Sequence, residues 1–415
     1  MITGSTPHST PETLNLQARP QQVRQNCVRR QPYSTAKNTP MLRGFTRWGA
    51  SALALGGAAG LYSASTPALS SAAENPGNKA RLRALGRRVT EIEQDLELNK
   101  YALGEPSGRT TWSHPVLQPG RVAVVTGAST GIGLAICKRC ASLGMRVVMA
   151  DLDAAELEEA RREVARLAVK AGNVDDAGVI AMRTDVRNYD EVVRLSEATF
   201  ALHKEVALLV NNAGIGGGAG SLDGELGRWR DVVDTNLWGV VHGVQAFAPR
   251  MAQSGAPGAI VNTGSKQGMT TPPGDTAYNV SKAGVKVLTE GLEHELRNTD
   301  GCRVHAYLLV PGWTNTSIAV KAQKRLGTYN ADRPPFSESN PAAGAWSADK
   351  VAARMFDAVE DEGPFYIICP DNEMSNARFY GCVEWAAGDV LHGRPPLSRW
   401  TKEHATKFKQ AVPAK

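Results

Sequence analysis

The stretch that most restricts the fold of this chain is a glycine-rich turn between a strand pattern and a helix pattern. Residues 121–126 form a short apolar run centred on Val-Ala-Val-Val, and a helical pattern continues to Leu143 beyond the turn. Glycines permit the tight turn and let the backbone approach a pyrophosphate, while the helix N-terminus offers free N–H groups to the anion. The sequence therefore predicts a dinucleotide site. Its predicted contact residues are Gly127, Ser129, Thr130, Gly131, Ile132 and Gly133.

Strand and helix patterns alternate along the rest of this region. The further strand runs are 146–150, 179–184, 206–210, 259–263, 303–310 and 365–369, and the helical patterns are 154–168, 189–202, 229–251, 278–297 and 349–361. Such alternation predicts an α/β fold of the Rossmann type, a doubly wound parallel sheet of about seven strands with helices on both faces. We assign it to residues 118–370.

Charge and cysteine content exclude several classes of protein. The formal net charge of the 415 residues is +6, and residues 1–73 carry all of that excess, so the remainder is neutral and nothing predicts binding to nucleic acid. Six scattered cysteines do not make a disulfide framework. Cys137 and Cys140 lie within a helical pattern, where we interpret them as packing residues; no metal site is predicted.

The N-terminal segment, residues 1–78, has the composition of a disordered targeting sequence. Arg43 and Arg47 precede an uncharged, weakly apolar stretch, 48–73, that is diluted by glycine, serine and proline. This layout predicts an organelle transit peptide, with the mitochondrion favoured over export. Membrane association through 48–73 is an alternative that is not favoured, since a spanning helix needs about 20 strongly apolar residues. If this segment is not a targeting sequence, the protein is expected to be cytoplasmic.

Two further segments flank the predicted domain. Residues 79–117 are predicted to hold an amphipathic helix and a linker; the helix has apolar residues at heptad spacing and is expected to pack on the domain rather than form a dimer zipper. Its apolar positions are Leu82, Leu85, Val89, Ile92 and Leu96. Residues 371–415, with Trp400 and a turn at 393–396, are predicted to be an ordered extension packed on the domain.

Tyr278 and Lys282 are candidates for proton-transfer chemistry. Four residues are about one helical turn, so both side chains project from the same face. A phenol ionises near pH 10 in water, and a fixed ammonium one turn away would stabilise the phenolate and lower the pKa of the tyrosine. The pattern thus predicts a general acid/base.

Taken together, these motifs resemble the short-chain dehydrogenase/reductase family in its non-extended branch. The resemblance covers about residues 119–370. It is carried by five motifs in the family's order, which are Thr126–Gly133, Asn211–Gly214, Asn236, Ser265 with Tyr278 and Lys282, and Pro311-Gly312. It implies a catalytic tetrad, a nucleotide site, and a homo-dimer or tetramer. The tetrad would be Asn236, Ser265, Tyr278 and Lys282, and the further nucleotide contacts would be Asp151, Asp185, Val186, Asn212, Ala213, Gly214, Pro311, Gly312 and Thr316.

The function expected from the resemblance is hydride transfer between NAD(H) and a secondary alcohol or ketone. In this reaction Tyr278 would exchange the substrate proton, Ser265 would polarise the substrate oxygen, and Asn236 would hold a water that links Lys282 to solvent. A non-catalytic nucleotide-binding module and an epimerase or dehydratase remain alternatives. The segment 313–346 lies where the family places its substrate lid, and its aromatic and aliphatic residues predict an apolar substrate. Those residues are Trp313, Ile318, Leu326, Tyr329, Phe336 and Trp346.

The expected cofactor is NAD rather than NADP. Asp151 ends the second strand, where its carboxylate would accept a hydrogen bond from the ribose 2′-hydroxyl and repel a 2′-phosphate. Two positions where NADP-dependent members commonly carry a basic residue hold Thr130 and Leu152 instead.

A chain that begins at residue 75 is expected to fold and to bind NADH, because every chemical motif lies beyond residue 120. Thermal unfolding and NADH fluorescence titration, compared with the full-length protein, check this prediction. Loss of binding in the shortened chain alone would assign a structural role to residues 1–74.

Overall fold

The computed structural model describes residues 106–170, 178–217, 219–222, 224–371 and 375–412. The predicted targeting segment and the heptad helix lie outside these ranges. Within them, no helix has both the length and the apolar character needed to cross a membrane.

A seven-stranded sheet, parallel throughout, forms the centre of the molecule. Its strands are β1 (Val122–Thr126), β2 (Arg146–Asp151), β3 (Val179–Arg183), β4 (Leu208–Asn211), β5 (Gly258–Thr263), β6 (Val304–Pro311) and β9 (Tyr366–Cys369). Their order is β3-β2-β1-β4-β5-β6-β9. The predicted Rossmann-type sheet is confirmed. A separate pair, β7 (Thr314–Asn315) and β8 (Trp346–Ser347), lies between β6 and β9 in the chain.

Helices cover both faces of the sheet because successive strand residues point to opposite sides. Ala123 and Val125 of β1 belong to one apolar core, and Val122 and Val124 belong to the other. The first core is closed by α1 (Gly131–Ser142), α2 (Ala154–Lys170) and α9 (Ala348–Glu360), and the second by α3 (Tyr189–His203), α5 (Gly239–Gln253) and α7 (Thr276–Arg297). Four further helices are α4 (Leu226–Val233), α6 (Gln267–Thr270), α8 (Ile318–Arg325) and α10 (Asn376–Leu391).

The helix predicted over 229–251 is interrupted. A π turn, Asp234–Trp238, separates α4 from α5. Beyond it, α5 lies very close to the strand ends, since a Cβ on Gly243 would be 2.0 Å from Asn211 Oδ1 and one on Gly239 would be 2.8 Å from Val186. The apolar periodicity of 229–251 could not reveal the interruption, because a π turn adds one residue without ending the helix.

Cys137 and Cys140 lie fully buried in α1, within the first core. Burial raises the pKa of both thiols, that of Cys140 to about 12. Both therefore remain neutral, as small packing residues do.

An extended strap, residues 106–117, covers α9. The Ser107 hydroxyl donates to Asp357 Oδ1 at 2.7 Å, and the His114 backbone N–H donates to Glu360 Oε2 at 2.9 Å. The Trp112 ring meets Phe356 edge-on with centroids 5.8 Å apart. This part of the predicted linker is thus held to the domain by specific contacts.

The C-terminal region continues past the sheet as α10, a 3-10 turn at Ser398–Trp400, and α11 (Lys402–Ala411). Phe379 of α10 is buried in the second core. The Asp389 carboxylate accepts from the Ser398 hydroxyl at 2.6 Å and from Arg394 Nε at 2.8 Å. These contacts fix the turn that follows α10.

Candidate active site

The predicted site residues gather at the carboxyl edge of the sheet. The strand order reverses direction between β1 and β4, and open α/β sheets bind ligands in the crevice at such a point. The glycine-rich turn follows β1, and the residues of the Asn211–Gly214 motif follow β4. Ser265 follows β5, and the Pro311-Gly312 motif begins at the last residue of β6.

The glycine-rich turn is shaped by close backbone contacts. Gly127 and Gly131 adopt left-handed φ angles of 65° and 58°. A Cβ on Gly133 would lie 2.0 Å from the Gly127 carbonyl oxygen, so only hydrogen fits there. Helix α1 begins at Gly131, and the Thr130 side chain does not cap it. The turn thus has the shape and the N-terminal dipole that a dinucleotide pyrophosphate requires.

The Glu338 carboxylate lies beside this helix N-terminus and accepts a hydrogen bond from the Gly131 N–H. Burial raises the pKa of Glu338, and the Gly131 bond opposes that shift. The contact shows that a carboxyl oxygen reaches the first turn of α1. Sequence patterns gave no indication of this residue.

Asp151 closes the adenosine end of the crevice. Its Oδ2 accepts from the Ser129 N–H at 3.0 Å and from the Ser129 hydroxyl at 2.6 Å. A second carboxylate, Glu156 Oε2, lies 2.9 Å from the same hydroxyl. The Lys321 ammonium of α8 lies 2.6 Å from Glu156. Two acids and one base therefore surround Ser129, of which the sequence predicted only Asp151.

Asp185 is turned toward Arg187. Its Oδ2 lies 2.8 Å from Arg187 Nη2, and this bond holds the pKa of Asp185 below its usual range. Val186, also predicted as a nucleotide contact, is buried and its carbonyl faces His242 Nδ1 at 2.8 Å. Both lie in the loop after β3. The Asp185 carboxylate pairs with Arg187, and the Val186 side chain packs in the second core.

Asn212 binds the glycine-rich turn to the end of β4. Its Nδ2 donates to the carbonyls of Thr126 and Gly127, each at 3.2 Å. The Thr126 hydroxyl accepts from the backbone N–H of Asn212 at 3.0 Å and of Ala213 at 3.2 Å. These residues therefore shape the nucleotide site by positioning the turn.

Tyr278 and Lys282 lie in the first turns of α7. The helix is capped by Asp275, whose Oδ1 accepts from the Tyr278 N–H at 3.3 Å. The Tyr278 hydroxyl is hydrogen-bonded to the Ser265 side chain. Lys282 Nζ lies 5.7 Å from the centre of the Tyr278 ring and donates to the Thr263 carbonyl at 2.8 Å. The structure thus brings together Tyr278 and Lys282, paired by their spacing, and Ser265, which the family resemblance implied.

Asn236 lies fully buried in the π turn beside these groups. Its Oδ1 accepts from the Ile215 N–H at 2.8 Å, and its Nδ2 donates to the Ile215 carbonyl at 3.0 Å and lies 3.3 Å from Ser281 Oγ. A Cβ on Gly214 would lie 3.4 Å from Asn236 Oδ1 and 3.6 Å from Lys282 Nζ. The amide therefore fixes the loop after β4 around Lys282; the predicted water link stays a prediction.

The segment after β6 closes the other side of the crevice. Thr316 lies against Gly131, where a Cβ would be 3.1 Å from its Cγ2, and the Ser317 hydroxyl lies 3.0 Å from Thr130 Oγ1. Trp313 and Phe336 remain 39% and 50% exposed and pack edge-on with centroids 5.7 Å apart. Trp346, by contrast, is buried in the first core. Of the six predicted lid residues, Trp346 alone lies in the core, Ile318 and Leu326 are half-buried, and Trp313, Tyr329 and Phe336 are exposed.

Comparison with known proteins agrees with this arrangement. A family profile described as short chain dehydrogenase matches residues 121–327. Galactitol 2-dehydrogenase (L-tagatose-forming) of Cereibacter sphaeroides is 35% identical over 208 residues, which cover 50% of this chain and 76% of that protein. The 1-deoxy-11-beta-hydroxypentalenate dehydrogenase of Streptomyces exfoliatus is 36% identical over 200 residues, 48% of this chain and 69% of that protein.

A solved structure shows the same fold. The short chain dehydrogenase/reductase of Burkholderia phymatum, crystallised in complex with NAD, is 35% identical, covers 67% of this chain and 96% of its own, and superposes with a TM-score of 0.57. This chain belongs to the short-chain dehydrogenase/reductase family. The resemblance inferred from five motifs is confirmed, and the protein is an oxidoreductase of that family.

The protonation of the short-chain dehydrogenase site differs from the sequence-based expectation. Burial raises the pKa of Tyr278 to about 12, and the Ser265 hydrogen bond only partly opposes it. Burial also lowers the pKa of Lys282 to about 8. Desolvation therefore determines the pKa of Tyr278, and the expected lowering by Lys282 is not among its causes. At neutral pH this site holds a neutral phenol beside a protonated lysine.

Replacing Lys282 by methionine is expected to abolish most turnover while leaving the protein as stable as wild type, or more stable, at pH 7. The ordinary lysine pKa is 10.5 and the folded value is about 8, so the unfolded chain binds the proton more tightly. Wild-type stability should rise as pH increases from about 8 to 10.5, and the methionine variant should lack this rise. Unfolding temperatures and kcat at pH 7 and 9.5 provide the measurement.

Lys286→Met is the matched control, because Lys286 lies one turn further along α7 and pairs with Glu290 at the surface. It should change neither kcat nor the pH dependence of stability. A Lys282 variant much less stable than this control at pH 7 would contradict the expectation.

Proposed function

We propose that this protein is an NAD-dependent dehydrogenase that interconverts a secondary alcohol and a ketone. The observation that carries the proposal is the hydrogen bond between the Ser265 and Tyr278 side chains, with Lys282 one turn away beside Gly214. NAD, when bound, supplies the hydride acceptor at the nicotinamide ring, and NADH supplies the donor. The glycine cradle at Gly127 and Gly133 and the first turn of α1, which the Thr130 side chain does not cap, fit the pyrophosphate of such a group.

Tyr278 exchanges the proton of the substrate oxygen. As a neutral phenol it donates a proton to a ketone oxygen during reduction. During alcohol oxidation it accepts the proton, which requires the phenolate. Ser265 Oγ, bonded to the same phenol, holds the substrate oxygen beside it. The adjacent ammonium of Lys282 stabilises negative charge on that oxygen and on the phenolate.

The preference for NAD over NADP is supported by the charges around Ser129. Asp151 and Glu156 both lie within hydrogen-bond distance of its hydroxyl, and Lys321 offsets only one of these charges. A 2′-phosphate at this position would meet a net negative environment. Repulsion between partly screened like charges at this range is on the order of 1–3 kcal/mol. Such an energy corresponds to a preference of about ten- to a hundredfold.

An apolar substrate is supported by the surroundings of the Tyr278 ring. Ile215 and Trp229 pack with it in a small cluster whose buried members are Ala219, Val232 and Ala277. The exposed pair of Trp313 and Phe336 extends the apolar surface toward solvent. We infer a hydrophobic secondary alcohol or ketone as the substrate class.

Tyr278→Phe is expected to retain the fold and NADH binding and to lose turnover by about 10²–10⁴-fold, since the proton carrier alone is removed. A panel of hydrophobic secondary alcohols and ketones, assayed at 340 nm, gives the measurement. Tyr307→Phe is the matched control, because Tyr307 is a buried tyrosine in β6 whose pKa is likewise raised to about 12. Near-normal turnover in Tyr278→Phe would refute the mechanism.

Asp151→Ser is expected to narrow the ratio of kcat/KM for NAD over NADP by about tenfold or more, because the acid nearest the ribose is removed. Asp300→Ser, at an exposed turn after α7, controls for overall charge and should leave the ratio unchanged. A wild-type preference for NADP, or an unchanged ratio in Asp151→Ser, would show that Asp151 serves only to hold Ser129.

A further inference from the structure

Lys266, the residue that follows Ser265, forms a buried ion pair that the proposed reaction does not use. Its Nζ lies 3.3 Å from Asp371 Oδ2, and the two side chains are only 8% and 6% exposed. The partners are 105 positions apart in sequence. Removing two charges from water is costly, and an apolar pair of similar volume is often at least as stable.

Lys266 is connected both to the end of β6 and to the helix that carries Lys282. Its backbone N–H donates to the Pro311 carbonyl at 3.2 Å, which links the β5 and β6 ends. It also precedes α6, which lies directly on the catalytic helix, since a Cβ on Gly268 would be 2.6 Å from the Lys282 carbonyl oxygen. A shift of Lys266 would therefore move Ser265 relative to Lys282.

Asp371 contacts the turn at residues 311–313, on the other side of the ion pair. The same Oδ2 that pairs with Lys266 accepts from the Trp313 N–H at 2.8 Å. Gly312 lies against both charged groups, because its Cβ would be 2.3 Å from Asp371 Oδ2 and 2.7 Å from Lys266 Nζ. The ion pair thus packs directly against the turn formed by Pro311, Gly312 and Trp313.

We propose that Lys266 and Asp371 are positioning residues whose ion pair holds the Ser265 turn and the 311–313 turn in one fixed arrangement. This inference rests on the proposed function. Ser265 fixes the substrate oxygen, and residues 311–313 form the wall of the crevice beside it. A misplacement of about 1 Å between reacting groups can lower the rate about a hundredfold. The pair therefore acts on kcat through geometry, and contacts neither substrate nor cofactor.

The test compares Lys266→Met, Asp371→Asn and the double variant in the full-length protein. Each single variant is expected to lower the unfolding temperature, because the buried charge that is kept loses the ion pair between Lys266 and Asp371. The double variant should recover stability, since asparagine still accepts from the Trp313 N–H and no unpaired charge remains. Its kcat should nevertheless stay about ten- to a hundredfold below wild type, with the KM for NAD nearly unchanged. Lys266→Arg should retain most of kcat.

Arg394→Met is the matched control, because it breaks an ion pair of 2.8 Å with Asp389 outside the active site. It should lower the unfolding temperature without lowering kcat at 25 °C. If the double variant regains kcat together with stability, or if the single variants keep wild-type kcat, the pair is only structural and the proposal is overturned.

Hydrogen exchange tests the positioning role without relying on catalytic activity. Peptides that contain the Trp313 amide should exchange faster in Lys266→Met and in the double variant, while peptides from β1 should not change. If the wild type oxidises or reduces no alcohol or ketone, the proposed function fails. In that case hydrogen exchange and NADH affinity still test whether Lys266 and Asp371 fix the two turns. Unchanged exchange at Trp313 would overturn that role.

Discussion

The close contact between α1 and the end of β1 is the constraint on which the rest of the site depends. Gly133 lies so near the Gly127 carbonyl that no side chain fits, and Asn212, after the neighbouring strand, donates to the Thr126 and Gly127 carbonyls where the turn begins. The first turn of α1 therefore points into the crevice where the strand order reverses. Every other functional group is carried to this edge by the parallel arrangement of the strands, because their carboxyl ends coincide.

Desolvation dominates the chemistry of the proton-transfer groups. Tyr278 is held neutral and the ammonium of Lys282 is destabilised, although Lys282 donates to the Thr263 carbonyl. A site optimised for stability alone would contain neither group in this environment. The same burial strengthens electrostatic interactions with a substrate oxygen, since the local dielectric constant is low. The energetic cost in the folded protein and the reactivity thus have a common origin.

Much of the fold and the catalytic set followed from local sequence patterns. Seven apolar runs predicted the seven strands, helical spacing paired Tyr278 with Lys282, and the family resemblance added Ser265. Contacts between distant segments were not predictable from one sequence, because no local period links their partners. Lys321 with Glu156, and Lys266 with Asp371, are such pairs. The protonation state of Tyr278 also depended on burial, which a motif does not report.

The π turn at Asp234–Trp238 has a consequence for how such a site can arise. Removing one residue from a helix rotates everything beyond it by about 100° relative to what precedes it. With α5 fixed against β4 by Gly243, a chain one residue shorter here would turn position 236 away from Ile215. A single-codon insertion or deletion is therefore enough to create or remove the buried amide beside Lys282, with α4 taking up the rotation while α5 stays in place.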